Sequence, residues 1–110
     1  MGLTAIKLYI AGPMSGLPEF NYPAFHAAID ELSGKGYVVY SPTDSEFEND
    51  GERFGKPKSW YMRRGIKMVC EVEGIALLPG WETSPGTALE ISVGQMLDLD
   101  IRPIDQWETV

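Results

Sequence analysis

Residues 75–90 read Ile-Ala-Leu-Leu-Pro-Gly-Trp-Glu-Thr-Ser-Pro-Gly-Thr-Ala-Leu-Glu. The opening apolar run, Ile75 to Leu78, is a buried strand by its length and composition. Pro79 and Gly80 break it. Ser84-Pro85 has the form of an N-cap followed by a proline at the first helical position, and the helix it opens carries Glu90. A strand that turns into a helix N-terminus is where α/β proteins bind ligands, because free backbone N–H groups sit there beside the carboxyl edge of the sheet. Glu90 is then either a functional carboxylate at that edge or a solvated helix residue.

The rest of the chain bounds what this site can belong to. With 110 residues, 44% of them hydrophobic, the chain makes one folded domain, 1–110. No apolar run approaches the roughly 20 residues of a membrane span. The first ten residues hold one lysine and run straight into strand-like sequence, so they do not read as a signal peptide. The single cysteine, Cys70, excludes an intramolecular disulfide and suits a reducing cytosol, and it reads as a buried, inert helix residue. One Cys and one His argue against a zinc site. A net charge of −7 argues against nucleic acid as a partner while leaving room for small anions held by backbone N–H groups.

Working back from the quoted stretch, Ile6 to Ile10 is a strand leading into Ala11-Gly12-Pro13-Met14-Ser15-Gly16. Two glycines and a proline there let the backbone pass close to a ligand, although neither a dinucleotide fingerprint nor a P-loop is present, so no cofactor is implied. Asn21 is a candidate cap for a helix whose Phe25, Ala28, Ile29 and Leu32 fall at helical spacing, with His26 off that stripe. Lys35-Gly36 ends it, and Tyr37 to Tyr40 forms the second strand. Residues 41–58, rich in Asp and Glu without EF-hand spacing, read as a solvated flap over the ligand site. A helix over residues 60–72, capped by Ser59, precedes the strand at 74–78. The helix from Pro85 to about Leu97 is expected to bury Leu89, Val93, Met96 and Leu97, leaving Glu90 at the margin. Residues 101–104 make a last short strand and 105–110 a tail. Strand–helix alternation gives an α/β fold, a Rossmann-like three-layer sandwich with four or five parallel strands in the order 2-1-3-4. In that order, Gly12–Gly16 and Trp81–Gly86 face each other across one crevice.

Leu8-Tyr9-Ile10-Ala11-Gly12-Pro13-Met14, together with Pro79-Gly80-Trp81-Glu82, Ser84, Gly86 and Glu90, resembles the nucleoside 2-deoxyribosyltransferase superfamily, within it a short branch common in phage and bacterial genomes. The resemblance runs from about Lys7 to Ile104. It implies cleavage of the N-glycosidic bond of a nucleoside or its 5′-monophosphate, through a glycosyl-enzyme resolved by water or a second base. By motif the attacking glutamate is Glu90 and the tyrosine orienting it is Tyr9. Ser84 and Gly86 fall in the loop that holds a 5′-phosphate in monophosphate-hydrolysing members. Gly12, Pro13, Met14, Ser15 and Gly16 would flank base and sugar. Members form dimers or larger assemblies that complete each other's pockets, so a homo-oligomer is expected.

Each of these residues also has a plainer role open to it. Tyr9 is a core aromatic or an orienting hydroxyl, Ser84 a cap with or without a ligand, and Trp81 a cleft wall or a subunit contact. One departure from the resemblance is sharp: most relatives carry an aspartate, near the nucleobase, where this chain has Gly65. A glycine cannot protonate a leaving base. Either a flap carboxylate substitutes, or the substrate differs, or catalysis has been lost and the protein binds a nucleotide without cleaving it; in that last case an aspartate restored at position 65 is the next test.

Overall fold

The first strand, β1 (Lys7–Ala11), buries both of its faces, and its alternation assigns the layers of the protein. In the computed structural model, which describes residues 5–43 and 57–110, Leu8 and Ile10 face one way. They pack with Phe25, Ala28 and Leu32 of the helix α1 (Tyr22–Gly34). Tyr9 and Ala11 face the other way, into a second core with Met68, Val69 and Val72, contributed by the helix α2 (Lys58–Val69) and the turn after it. Completing the set are β2 (Val38–Tyr40), β3 (Gly74–Leu77), the helix α3 (Pro85–Met96) and β4 (Asp100–Pro103). All pairings are parallel and the order is β2-β1-β3-β4, which makes an α/β three-layer sandwich with a four-stranded sheet. The 2-1-3-4 order read from the sequence holds.

Several expected details give way to packing. The stripe Leu89, Val93, Met96, Leu97 is not the buried face of α3: Met96 is 84% exposed, and Leu89 and Leu97 are about half exposed. Thr87, Glu90 and Gly94 are buried instead. The reason is space. A Cβ on Gly94 would stand 2.8 Å from Ile75 Cδ1, so α3 lies too close to the sheet to turn its large side chains inward. The tail is not loose either. Residues Ile104–Gln106 make a 3₁₀ turn, and Trp107, 4% exposed, joins the α1-side core. Its Nε1–H donates to the Arg102 carbonyl at 3.1 Å, and the Arg102 guanidinium lies over its ring at 4.3 Å. Cys70 is exposed rather than buried, standing just past the last residue of α2. Helix α2 begins at Lys58 with Pro57 in the cap position, so Ser59 is not its cap. The acidic stretch 44–56, expected as a flap, lies outside the described residues. Among the described residues no helix is long and apolar enough to cross a membrane.

Candidate active site

The carboxyl ends of β1 and β3 lie side by side, with Ala11 opposite Leu77. From them the chain departs toward opposite faces of the sheet, to α1 from β1 and to α3 from β3, and this divergence opens a crevice. It is a cleft of about 750 Å³, in the range of small-molecule sites. Tyr9, Gly12, Pro13, Met14, Ser15, Ser84, Gly86 and Glu90 all line it. Two expected members do not: Gly16 is exposed beyond the rim, and Trp81 packs, half-buried, against the core cluster around Tyr9 and Leu77. For Trp81 the ligand-wall reading is therefore not supported by its position.

Glu90 sits deep in the cleft at 7% exposure, on the inward face of α3 rather than at its margin. The Tyr9 hydroxyl donates to Glu90 Oε2 at 2.7 Å in a buried bond between the central strand and the last helix. Burial pushes the carboxyl up from 4.5 to about 7, against the smaller downward pull of the Tyr9 hydrogen bond. At neutral pH the group thus divides between acid and carboxylate, the condition of a side chain tuned for proton or nucleophilic chemistry. Tyr9→Phe removes the one bond that favours the charged form. The Glu90 carboxyl is then expected to titrate above its present value of about 7, as carbon-13 NMR of the side chain would record; an unchanged or lower midpoint would show that Tyr9 does not stabilise the carboxylate.

Position 65 explains how α2 can pass over this pair. A Cβ on Gly65 would lie 2.3 Å from Glu90 Oε2 and 3.0 Å from the Tyr9 hydroxyl. The glycine weakens α2 by roughly 1 kcal/mol relative to alanine, and in return the helix backbone closes directly onto the carboxylate. An aspartate at this position would therefore have to displace the end of the Glu90 side chain from its present place beside Tyr9.

At the mouth, the Ser84 side chain accepts the Thr87 backbone N–H at 3.2 Å and caps α3 as expected. Asn21 occupies the cap position of α1 but does not cap it. Its amide nitrogen donates to the Pro13 carbonyl at 3.0 Å and ties the loop after β1 to the start of α1. Glu19, Phe20 and Asn21 all have positive φ (54°, 52°, 61°), a left-handed run that L-residues pay for at about 1–2 kcal/mol each. This run places Phe20 in the cleft wall. The sequence reading also missed Tyr22, Lys58, Tyr61, Met62 and Thr87, all of which line the cleft. Thr87 was findable, three residues before Glu90 on the same helical face; Tyr61 and Met62 stand four and three residues before Gly65. Nothing comparable marked Phe20. Among the described residues no group of three His, Cys, Asp or Glu side chains is placed to hold a metal ion.

Residues 6–102 match the family described as "Domain of unknown function (DUF4406)". No curated protein matches the chain in sequence. Among solved structures, a 2-desoxiribosyltransferase from Leishmania mexicana is similar in fold, with a TM-score of 0.67 at 20% identity over 89% of this chain. The alignment spans 63% of that protein's chain, and a likeness at this identity speaks to the fold.

Proposed function

The chain belongs to the DUF4406 family, and we propose that it cleaves, or transfers across, the N-glycosidic bond of a (deoxy)nucleoside or its 5′-monophosphate with Glu90 as nucleophile. The observation that carries this reading is the buried Tyr9–Glu90 hydrogen bond of 2.7 Å in a cleft large enough for a nucleotide. A carboxylate titrating near 7 is ionised enough to attack an anomeric carbon, and Tyr9 fixes which oxygen is free to do so. The fold shared with a deoxyribosyltransferase supports this reading by analogy. Gly12 to Ser15 supply one wall for sugar and base, while Ser84 and Gly86, at the first turn of α3, suit a 5′-phosphate.

The test is chromatography of the protein incubated with nucleosides and their 5′-monophosphates. Released base in wild type, absent in Glu90→Gln, is the expected result. Ser84→Ala is expected to raise KM for a monophosphate about tenfold while leaving the matching nucleoside unchanged, with a loss of about 1 kcal/mol of stability from the cap. Equal effects on both substrates would move the phosphate elsewhere.

A second reading, a protein that binds a nucleotide without turning it over, is favoured by one observation. The described lining of the cleft contains no carboxylate besides Glu90. Thermal stabilisation by a nucleotide without any product would select it. The proposal also includes a homo-oligomer in the cytoplasm, supported by the exposed apolar side chains of Leu89, Met96 and Leu97 on α3; sedimentation as a monomer at high concentration would remove that part.

A further inference from the structure

We infer that the base released at this site carries its own positive charge in the substrate: an N-glycoside of a quaternised heterocycle, of the pyridinium or ring-methylated purine class. This rests on the N-glycosidase reading above and narrows it. A neutral nucleobase leaves as an anion unless it is protonated as the bond breaks, and a protein acid contributes about 10²–10⁴-fold to that step. Among the described residues of the cleft, no carboxylic acid or imidazole besides Glu90 is placed to supply that proton. Glu90 must be ionised to attack, so it does not donate a proton in the same step. The Tyr9 proton is directed onto Glu90 Oε2. On α2, position 65 faces the pair as a glycine, with no side chain to carry a proton. The remaining titratable side chains of the described lining are Tyr22 from α1, and Lys58 and Tyr61 from α2, none of them a carboxylic acid or an imidazole.

A cationic leaving group removes the requirement. The Glu90 carboxylate oxygen forms a bond to C1′, the electron pair of the C1′–N bond returns to the ring nitrogen, and the base departs neutral without gaining a proton. Water then attacks C1′ of the glycosyl ester, regenerating the carboxylate, leaving a hydroxyl on the sugar and releasing one proton to solvent. The surroundings suit a flat cation. Phe20, Tyr22 and Tyr61 line the cleft with aromatic residues, and Met14 and Met62 line it with sulfur-bearing ones. The net charge of −7 raises the local concentration of cations over that of anions.

The experiment compares guanosine with 7-methylguanosine, and adenosine with nicotinamide riboside, each as ribo- and 2′-deoxyribo-forms and with and without the 5′-phosphate, near neutral pH and corrected for spontaneous hydrolysis. The expected result is a kcat/KM at least about 10²-fold higher for the cationic member of each pair. With the nicotinamide substrates the rate should rise through neutral pH to a plateau, without an alkaline fall. Neutral substrates cleaved within tenfold of their cationic partners, or an alkaline fall reporting a required acid, would overturn the inference while leaving the glycosidase reading standing. No release from any substrate, or release that persists in Glu90→Gln, would overturn that reading and the inference with it.

Discussion

Glu90→Gln is expected to lose at least about 10³-fold in base release and to gain stability at alkaline pH. The first effect follows, for the reaction proposed above, from removing the attacking oxygen in an otherwise isosteric side chain. The second follows from burial. Folding raises the carboxyl from 4.5 to about 7, so the folded state prefers the neutral acid. The corresponding stability is fully present below the unfolded value of 4.5 and is lost as pH rises toward 7. Above that, the charged group costs about 3 kcal/mol relative to acid conditions. Glutamine does not titrate. The stability difference between variant and wild type should therefore widen by up to about 3 kcal/mol from pH ~4 to pH ~8, read from urea midpoints at the two ends. Any fixed cost of burying the amide is the same at both pH values and cancels. Parallel curves would mean that the ionised carboxylate is solvated after all. A gain in stability on loss of the reactive group is the ordinary signature of a functional side chain held in an unfavourable place.

Gly65→Ala and Gly65→Asp should be equally damaging, for different reasons. The methyl group of alanine would stand 2.3 Å from Glu90 Oε2, so the carboxylate must leave its bond with Tyr9 or α2 must lift. Overpacking of this kind costs about 1–3 kcal/mol, against which α2 gains roughly 1 kcal/mol of helix propensity. Stability should then change little or fall modestly, while base release falls about 10²-fold as the nucleophile moves off its aim. Aspartate adds a like charge beside Glu90, which drives the pair toward sharing one proton and lowers the ionised fraction of Glu90 at neutral pH. Melting temperature and kcat on the same preparations separate the two effects. Wild-type turnover in Gly65→Asp would show that α2 accommodates a second carboxylate, and the steric account of Gly65 would fall with it.

What was legible in the sequence was the part written locally. Ser84-Pro85 announced the start of α3, Pro79-Gly80 the end of β3, and the alternation of strands and helices the order of the sheet. Tyr9 and Glu90 were assigned by motif and do meet. The reading failed where two elements negotiate distance. Hydrophobic periodicity picked the largest apolar residues of α3 as its buried face, but Gly94 brings that helix so close to Ile75 that the small and polar side chains face inward. Trp107 looked like tail because the space that receives it is made by Gly74, whose Cβ would lie 2.6 Å from the indole. In each case a glycine is informative only through its partner across the fold, and a single sequence does not name that partner.

The Tyr9–Glu90 bond joins residues 81 positions apart, one on the first strand and the other on the last helix. Between them in the chain lie α1, β2, α2 and β3. No subset of contiguous segments therefore contains a working half of the site, and loop-closure entropy makes so distant a pairing a late event when the chain assembles from its denatured state. Recovery of turnover after dilution from denaturant should accordingly track the completed sheet rather than the return of helix signal. The base release proposed above would then serve as a clock for the final folding step.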